Sequence, residues 1–200
     1  MRPQFWMFAG PNGAGKSTLV ARFRVAGKLP VINPDVIARQ INPHHHGEPA
    51  IMLQAGRIAH EHRVALMRDM RSFAMETTLS GRGELRVLAD AKAAGYKITL
   101  VFIGLRSAFH SLARVRERVA RGGHDVPVPV ILRRHARSLA HLPTAMGLAD
   151  RCFILDNTGM RPRLLISVDQ GRVRHISQPL PAWARSLILD HASPNGVAIP

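Results

Sequence analysis

Apolar runs of strand length alternate along this chain with longer stretches of helical period. QFWMFAG (4–10) reads as a buried strand feeding a glycine-rich turn, and the spacing predicts a helix from Lys16 to Ala26. LPVINPD (29–35) reads as a short strand ending at Asp35. A Pro/His/Gly loop, NPHHHGEP (42–49), then precedes a helix over 50–70 that turns Ile51, Ala55, Ile58, His62 and Leu66 to one face. SFAMETT (72–78) is strand-like and ends polar, and Gly83 to Ala94 reads as a helix closed by Gly95. YKITLVFIGL (96–105) is the longest apolar run, followed by a helix capped by Ser107 and reaching Arg121. RGGHDVPVP (121–129) reads as a loop, 129–148 as a helix bent or interrupted at Pro143, and RCFILDNT (151–158) as a strand. RLLISVDQGRVRHISQ (163–178) reads as a hairpin turning at Gln170-Gly171, Pro181 to Asp190 as a short helix, and SPNGVAIP as a loose tail.

This alternation predicts a three-layer α/β domain, a mostly parallel sheet flanked by helices with a β-hairpin near the C-terminus. Such sheets bind ligands at the C-terminal ends of their strands. Residues from Gly10 onward, Asp35, Glu76-Thr77-Thr78, Arg106 and Asp156-Asn157 are therefore expected to converge. No internal repeat or linker is visible. The organisation expected is one domain over 1–178, with a lid over about 114–137, and a C-terminal helix and tail over 179–200.

The composition sharpens this only in part. At 200 residues and 46% hydrophobic content, the chain is long enough for one core. MRPQFWMF is too soon interrupted by Gly10-Pro11 to read as a membrane span, and no later run is long enough to be one. Cys152 stands alone, which excludes an internal disulfide and suits a reducing cytoplasm. Net charge is +15, and only four of the 28 Lys+Arg residues are lysine (Lys16, Lys28, Lys92, Lys97). Arginine forks suit phosphate, but an arginine-rich surface also follows from genomic base composition, so charge alone argues weakly for an anionic partner.

Gly10 to Ser17, GPNGAGKS, meets the pattern G-x-x-x-x-G-K-[ST] between a predicted strand and a predicted helix. The glycines let backbone N–H groups turn in around phosphate oxygens, and the helix N-terminus adds its dipole. The candidate ATP contacts are Gly10, Pro11, Asn12, Gly13, Ala14, Gly15, Lys16, Ser17 and Thr18. Lys16 would neutralise the β- and γ-phosphates, and the Ser17 hydroxyl would ligate Mg²⁺. No Asn-Lys-x-Asp segment is present to read guanine, and no clear Walker B strand stands out, since the longest apolar run, ITLVFIGL, runs into Gly104 and Leu105. That favours a kinase layout over a motor ATPase.

Asp35 is either a general base for an acceptor hydroxyl or a helix N-cap before VIARQI, and on spacing alone the cap fits better. Glu76 closes a buried strand, which is costly unless a metal, a substrate hydroxyl or an arginine pairs with it. Thr77 and Thr78 either bind substrate or begin a loop. Arg114, Arg116, Arg118, Arg121, Arg133, Arg134 and Arg137 flank GGHDVP with only Glu117 and Asp125 opposing them, which reads as a lid closing on phosphate. Arg116 and Arg137 fit a solvated face, and His124 an ordinary loop position. His44, His45 and His46 fit solvated loop positions better than a metal cluster.

FAGPNGAGKSTL, NPD, AGR (55–57), SFAMETTLSG, AGYKITLVFI, RVRERVARGGHDVP, LRRHARSL and ILDNT together resemble the zeta toxin family of P-loop kinases over about residues 5–160. The resemblance implies transfer of the ATP γ-phosphate to a small-molecule hydroxyl, a nucleotide sugar such as UDP-N-acetylglucosamine in the best-known members. It implies Lys16 and Ser17 at the ATP and Mg²⁺ positions and Asp35 as the deprotonating residue, which reverses the cap preference. Glu76 falls at the substrate end with Thr77 and Thr78. Arg118 and Arg134 match the lid arginines, with Arg121 a rival for the first and a candidate substrate contact. Asn157 falls beside the adenine. An antitoxin encoded elsewhere is the partner such a family allows. The chain is shorter than the well-studied toxins and lacks much of their C-terminal extension, and ETTLSG and GGHDVP look like the short, stand-alone branch. Two other readings compete. A nucleic-acid binder or polynucleotide-end kinase suits the charge, but not an aromatic content of 5%. An ATP-dependent switch without transfer activity would tolerate loss of Asp35.

Overall fold

The computed structural model describes residues 2–123 and 125–189. The tail SPNGVAIP, His124 and the expected helix end at Asp190 lie outside them. Seven strands form one sheet: β1 (Gln4–Ala9), β2 (Val31–Ile32), β3 (Phe73–Thr77), β4 (Lys97–Gly104), β5 (Arg151–Asp156), β6 (Arg163–Asp169) and β7 (Arg172–Ile176). Their order is β2-β3-β1-β4-β5-β6-β7. The first five run parallel, and β6 and β7 add antiparallel. Among the described residues, seven α-helices flank the sheet: α1 (Lys16–Arg22), α2 (Pro34–Ile41), α3 (Pro49–Arg68), α4 (Arg82–Ala93), α5 (Ala108–Ala120), α6 (Val128–Leu148) and α7 (Ala182–Leu189). This is the expected fold class, mixed α/β with a mostly parallel sheet between helices.

The strand pleat divides the core. Phe5, Met7 and Ala9 of β1 face the larger side, packed with residues of α2, α3, α4, α6 and α7. Phe8 faces the smaller side with Val101 and Ile103 of β4, closed by Leu19 and Val20 of α1. Phe5 stacks on Phe73 at 4.6 Å, and the Tyr96 hydroxyl donates to the Leu66 and Arg71 carbonyls, tying α3 to the sheet. Gly104 ends β4 where a Cβ would press into the Trp183 ring of α7.

Several boundaries differ from the sequence reading. The helix expected to reach Ala26 stops at Arg22, because Arg24 turns left-handed (φ 50°) into a short 3₁₀ turn over Val25–Gly27. The strand expected over 29–35 is only Val31–Ile32, bracketed by Pro30 and Pro34. Asp35 lies in the first turn of α2, and the cap is Asn33, whose side chain accepts from the Asp35 N–H at 3.0 Å. On α3 the buried residues are Ala55, Ala59 and Leu66, while His62 is exposed. Ser107 stands at the N-cap of α5, but its hydroxyl bonds the His110 ring at 2.9 Å. α6 begins at Val128 and runs through Pro143 uninterrupted. The hairpin turns at Gln170 (φ 53°) and Gly171 (φ 72°), as expected.

Candidate active site

The loop leaving β1 is shaped by two glycines. Gly10 (φ 141°) lies against β4, where a Cβ would run into the Ile103 carbonyl. Gly15 (φ 91°) opens α1, and a Cβ there would come within 2.6 Å of the Asn157 amide nitrogen. That amide donates to the Ala14 carbonyl at 2.9 Å, so the segment after β5 holds the loop from the side. Lys16 reaches back across the loop and donates to the Gly10 and Pro11 carbonyls at 2.8 and 3.0 Å. Desolvation lowers its pKa to about 8; Glu76 and Asp35 pull it back up, and Arg118 and Arg134 push it down further.

Ser17 Oγ donates to Glu76 Oε2 at 2.6 Å. The topology explains the pair, because β3 lies directly beside β1 with Phe8 opposite Glu76. Glu76, only 9% exposed, follows Phe73-Ala74-Met75. The acid that was sought at the end of β4 thus stands at the end of β3, beside the serine of the loop. The sequence marks it as a buried acid in need of a partner, but its three apolar residues ending in Glu do not match the pattern of four ending in Asp.

A cavity of about 460 Å³ opens over the loop. It brings together Asn12, Gly13, Gly15, Lys16, Ser17 and Thr18 with Asp35, Glu76, Thr77, Thr78, Arg118 and Arg134. The Asp35 side chain is exposed on the far wall. Thr77 Oγ1 donates to Glu84 Oε1 at 2.9 Å, and Thr78 shares a hydrogen bond with Ser80 at 2.8 Å. Asn33, Glu84 and Arg114 also line this cavity. Sequence reasoning passed over the first two and noted Arg114 only within the basic run. The spacing of Gly81 and Glu84 was a usable signal, for Glu84 Oε2 accepts from the Gly81 N–H at 3.1 Å as in a capping box.

A second cavity of about 620 Å³ adjoins the other side of the loop. It holds Asn157, Arg121, Arg22 and Arg39, and shares Gly13, Gly15, Thr18, Arg114 and Arg118 with the first. Arg121 thus stands apart from Asp35, Glu76, Thr77 and Thr78, with which the sequence reading grouped it, because it lies past the end of α5. Gly10, Pro11 and Ala14 line neither cavity; the Gly10 and Pro11 carbonyls accept from Lys16 and the Ala14 carbonyl from Asn157. Asp156 and Arg106, expected at the same site, line neither one. Asp156 accepts from the Thr158 hydroxyl at 2.6 Å, and the Arg106 N–H donates to that same hydroxyl at 2.8 Å.

A phosphate-binding loop between β1 and α1, on a sheet of this order, defines a P-loop protein of kinase-like fold. The AAA domain family matches residues 5–143, and the chain belongs to that family. An uncharacterized protein of Haemophilus influenzae is 35% identical over 129 residues, covering 64% of this chain and 89% of the relative. Among solved structures, the AvrRxo1-ORF1:AvrRxo1-ORF2 complex with sulphate ions aligns at a TM-score of 0.74 with 16% identity, over 100% of this chain and 66% of that one. The AvrRxo1-ORF1:ORF2 structure with ATP aligns at 0.71 with 17% identity, over 86% of this chain and 60% of that one. The PezAT chromosomal toxin-antitoxin system of Streptococcus pneumoniae aligns at 0.55 with 16% identity, over 78% of this chain and 68% of that one. The chain therefore spans about 60–66% of the length of the AvrRxo1 chains it matches. At these identities the likeness is one of fold. Among the described residues, no helix is long and apolar enough to cross a membrane.

Proposed function

We propose that this protein is an ATP-dependent kinase that transfers the γ-phosphate to a hydroxyl of a small molecule, in the manner of the zeta toxins. One observation carries the reading: a single cavity has the P-loop Lys16 and Ser17 on one wall, the exposed Asp35 carboxylate on another, and Arg118 and Arg134 reaching in from α5 and α6. A protein that used ATP only as a switch has no need of a carboxylate facing its phosphate loop.

The loop N–H groups and Lys16 bind the triphosphate. Ser17 and Glu76, an oxygen pair of the kind Mg²⁺ prefers, would hold the ion, which spreads the charge of the phosphates when bound. Asp35 takes the proton of the acceptor hydroxyl as its oxygen forms the new bond to the γ-phosphorus. The bond from that phosphorus to the β–γ bridging oxygen breaks, and ADP leaves with the electron pair. Arg118 and Arg134, on a lid over about 114–137, meet the charge that develops on the moving group and exclude water. The second cavity takes the nucleoside end of ATP; Asn157 fixes the loop there, and Arg121 serves that end rather than the acceptor. The toxin–antitoxin neighbour of similar fold supports a protein antitoxin as partner. UDP-N-acetylglucosamine is the first acceptor to assay.

Two outcomes check this arrangement. Arg134→Ala is expected to lower turnover by about 10²-fold while changing the ATP affinity by much less, read as separate kcat and KM values. A raised KM with turnover unchanged would make Arg134 a ground-state binding contact. ATP binding is also expected to raise the Lys16 pKa from about 8, because phosphate oxygens replace the carbonyls it now bonds. Binding near pH 8 then takes up protons, seen by calorimetry in buffers of different ionisation enthalpy. The uptake should vanish in Lys16→Arg. The decisive experiment is transfer of label from γ-³²P-ATP, with Asp35→Asn as the control.

A further inference from the structure

β3 runs into a turn whose backbone is strained. Leu79 holds a left-handed conformation (φ 55°), which leucine adopts reluctantly because its Cβ crowds the backbone. Its side chain is fully buried in the larger core. A residue strained in this way persists only where its surroundings fix it. Here hydrogen bonds do so on both sides. The Leu79 N–H donates to Thr77 Oγ1 at 3.1 Å, and the Leu79 carbonyl accepts from His141 Nδ1 of α6 at 3.0 Å. A carbonyl oxygen only accepts, so Nδ1 carries the proton.

The same turn orients two hydroxyls of the first cavity. Thr77 Oγ1 accepts from the Leu79 N–H and donates to Glu84, so its proton and one lone pair are committed. Thr78 and Ser80 share a hydrogen bond across Leu79 at 2.8 Å, which leaves one proton of the pair for another acceptor. Thr77, Thr78 and Glu84 line the first cavity, whereas Leu79, Ser80 and His141 line neither. His141 therefore acts on the cavity through Leu79. It lies about two turns beyond Arg134 on α6, so one helix supplies an arginine to the cavity and also anchors the turn after β3.

We propose that His141 is a positioning residue of this site: its Nδ1–H holds the Leu79 carbonyl, and the turn so fixed sets the Thr77 and Thr78 hydroxyls for the acceptor. The inference rests on the kinase reading above, in which these threonines meet the acceptor rather than ATP. His141→Leu keeps the bulk of the ring and removes the donor, whereas His141→Asn offers an amide N–H in its place. Transfer of label from γ-³²P-ATP to the organic acceptors of a bacterial small-molecule extract is measured while first the extract and then ATP is titrated. His141→Leu is expected to need about tenfold more extract for half-saturation, with ATP half-saturation within about twofold of the parent. His141→Asn is expected to restore the parent's value. A lowered thermal midpoint with unchanged half-saturation would make His141 a contact of the fold alone and overturn the inference. Equal losses towards extract and ATP, unrelieved by asparagine, would do the same. The ¹⁵N spectrum of the parent's histidines tests the bond without any variant. Nδ1 of His141 is expected to carry the proton, and an unprotonated Nδ1 would overturn the inference while leaving the kinase standing. Transfer by neither parent nor variants would overturn the kinase reading and the inference with it.

Discussion

Asp35→Asn is expected to lower phosphoryl transfer by about 10²–10⁴-fold, the range of a positioned general base, and to leave ATP affinity nearly unchanged. The side chain sits in the first turn of α2 on the wall facing the loop, and its carboxylate bonds nothing among the described residues. It is therefore available to accept a proton. Asparagine keeps the size and the helix position, and the cap is untouched because Asn33 supplies it. A stable protein that binds ATP and does not transfer phosphate is the predicted product. Thermal unfolding should change little, which separates loss of chemistry from loss of fold. Near-normal turnover in this variant would remove Asp35 from the chemistry and leave it a first-turn acid favoured by the helix dipole.

Lys16→Ala is expected to reduce turnover by about 10²–10³-fold or more and, unlike Asp35→Asn, to weaken ATP binding as well. Its ammonium lies across the loop on the Gly10 and Pro11 carbonyls, where the β- and γ-phosphates are expected to sit. Stability should respond in the opposite direction. The pKa of Lys16 is lowered in the folded chain to about 8 from 10.5, so the folded state binds this proton less tightly than the unfolded state does. The resulting cost is fully present below pH 8 and disappears as pH rises towards 10.5. Removing the amine removes that cost, and the thermal midpoint of Lys16→Ala at pH 7 should equal or exceed that of the parent. A clear drop would mean that the two carbonyl contacts outweigh the desolvation.

The long apolar run of β4 and the glycine pattern after β1 declare themselves locally, so the sheet and the phosphate loop were legible in the residues alone. Asp35 was harder, because a carboxylate near a helix start serves as a cap or as a base. Only the structure shows that Asn33 takes the first role and frees Asp35. Glu76 was legible as a costly buried acid, yet its pairing with Ser17 depends on β3 lying beside β1, a fact of topology rather than of pattern. The arginines show the same limit. Arg114 and Arg118 are one turn apart on α5 and both line the first cavity, whereas Arg121 falls beyond the last helical residue and turns to the second. Helical spacing groups the three, and the end of the helix separates them. Glu84 escaped notice although its bond to Gly81 is local to the start of α4; its bond to Thr77 forms only once β3 and α4 are folded together.

The measurement that reaches the central claim most directly is transfer of label from γ-³²P-ATP to small molecules, for the parent protein beside Asp35→Asn. The account predicts a labelled organic acceptor with the parent and none with the variant, while both bind ATP. Label released only as inorganic phosphate, or a labelled acceptor that persists undiminished in Asp35→Asn, would contradict it.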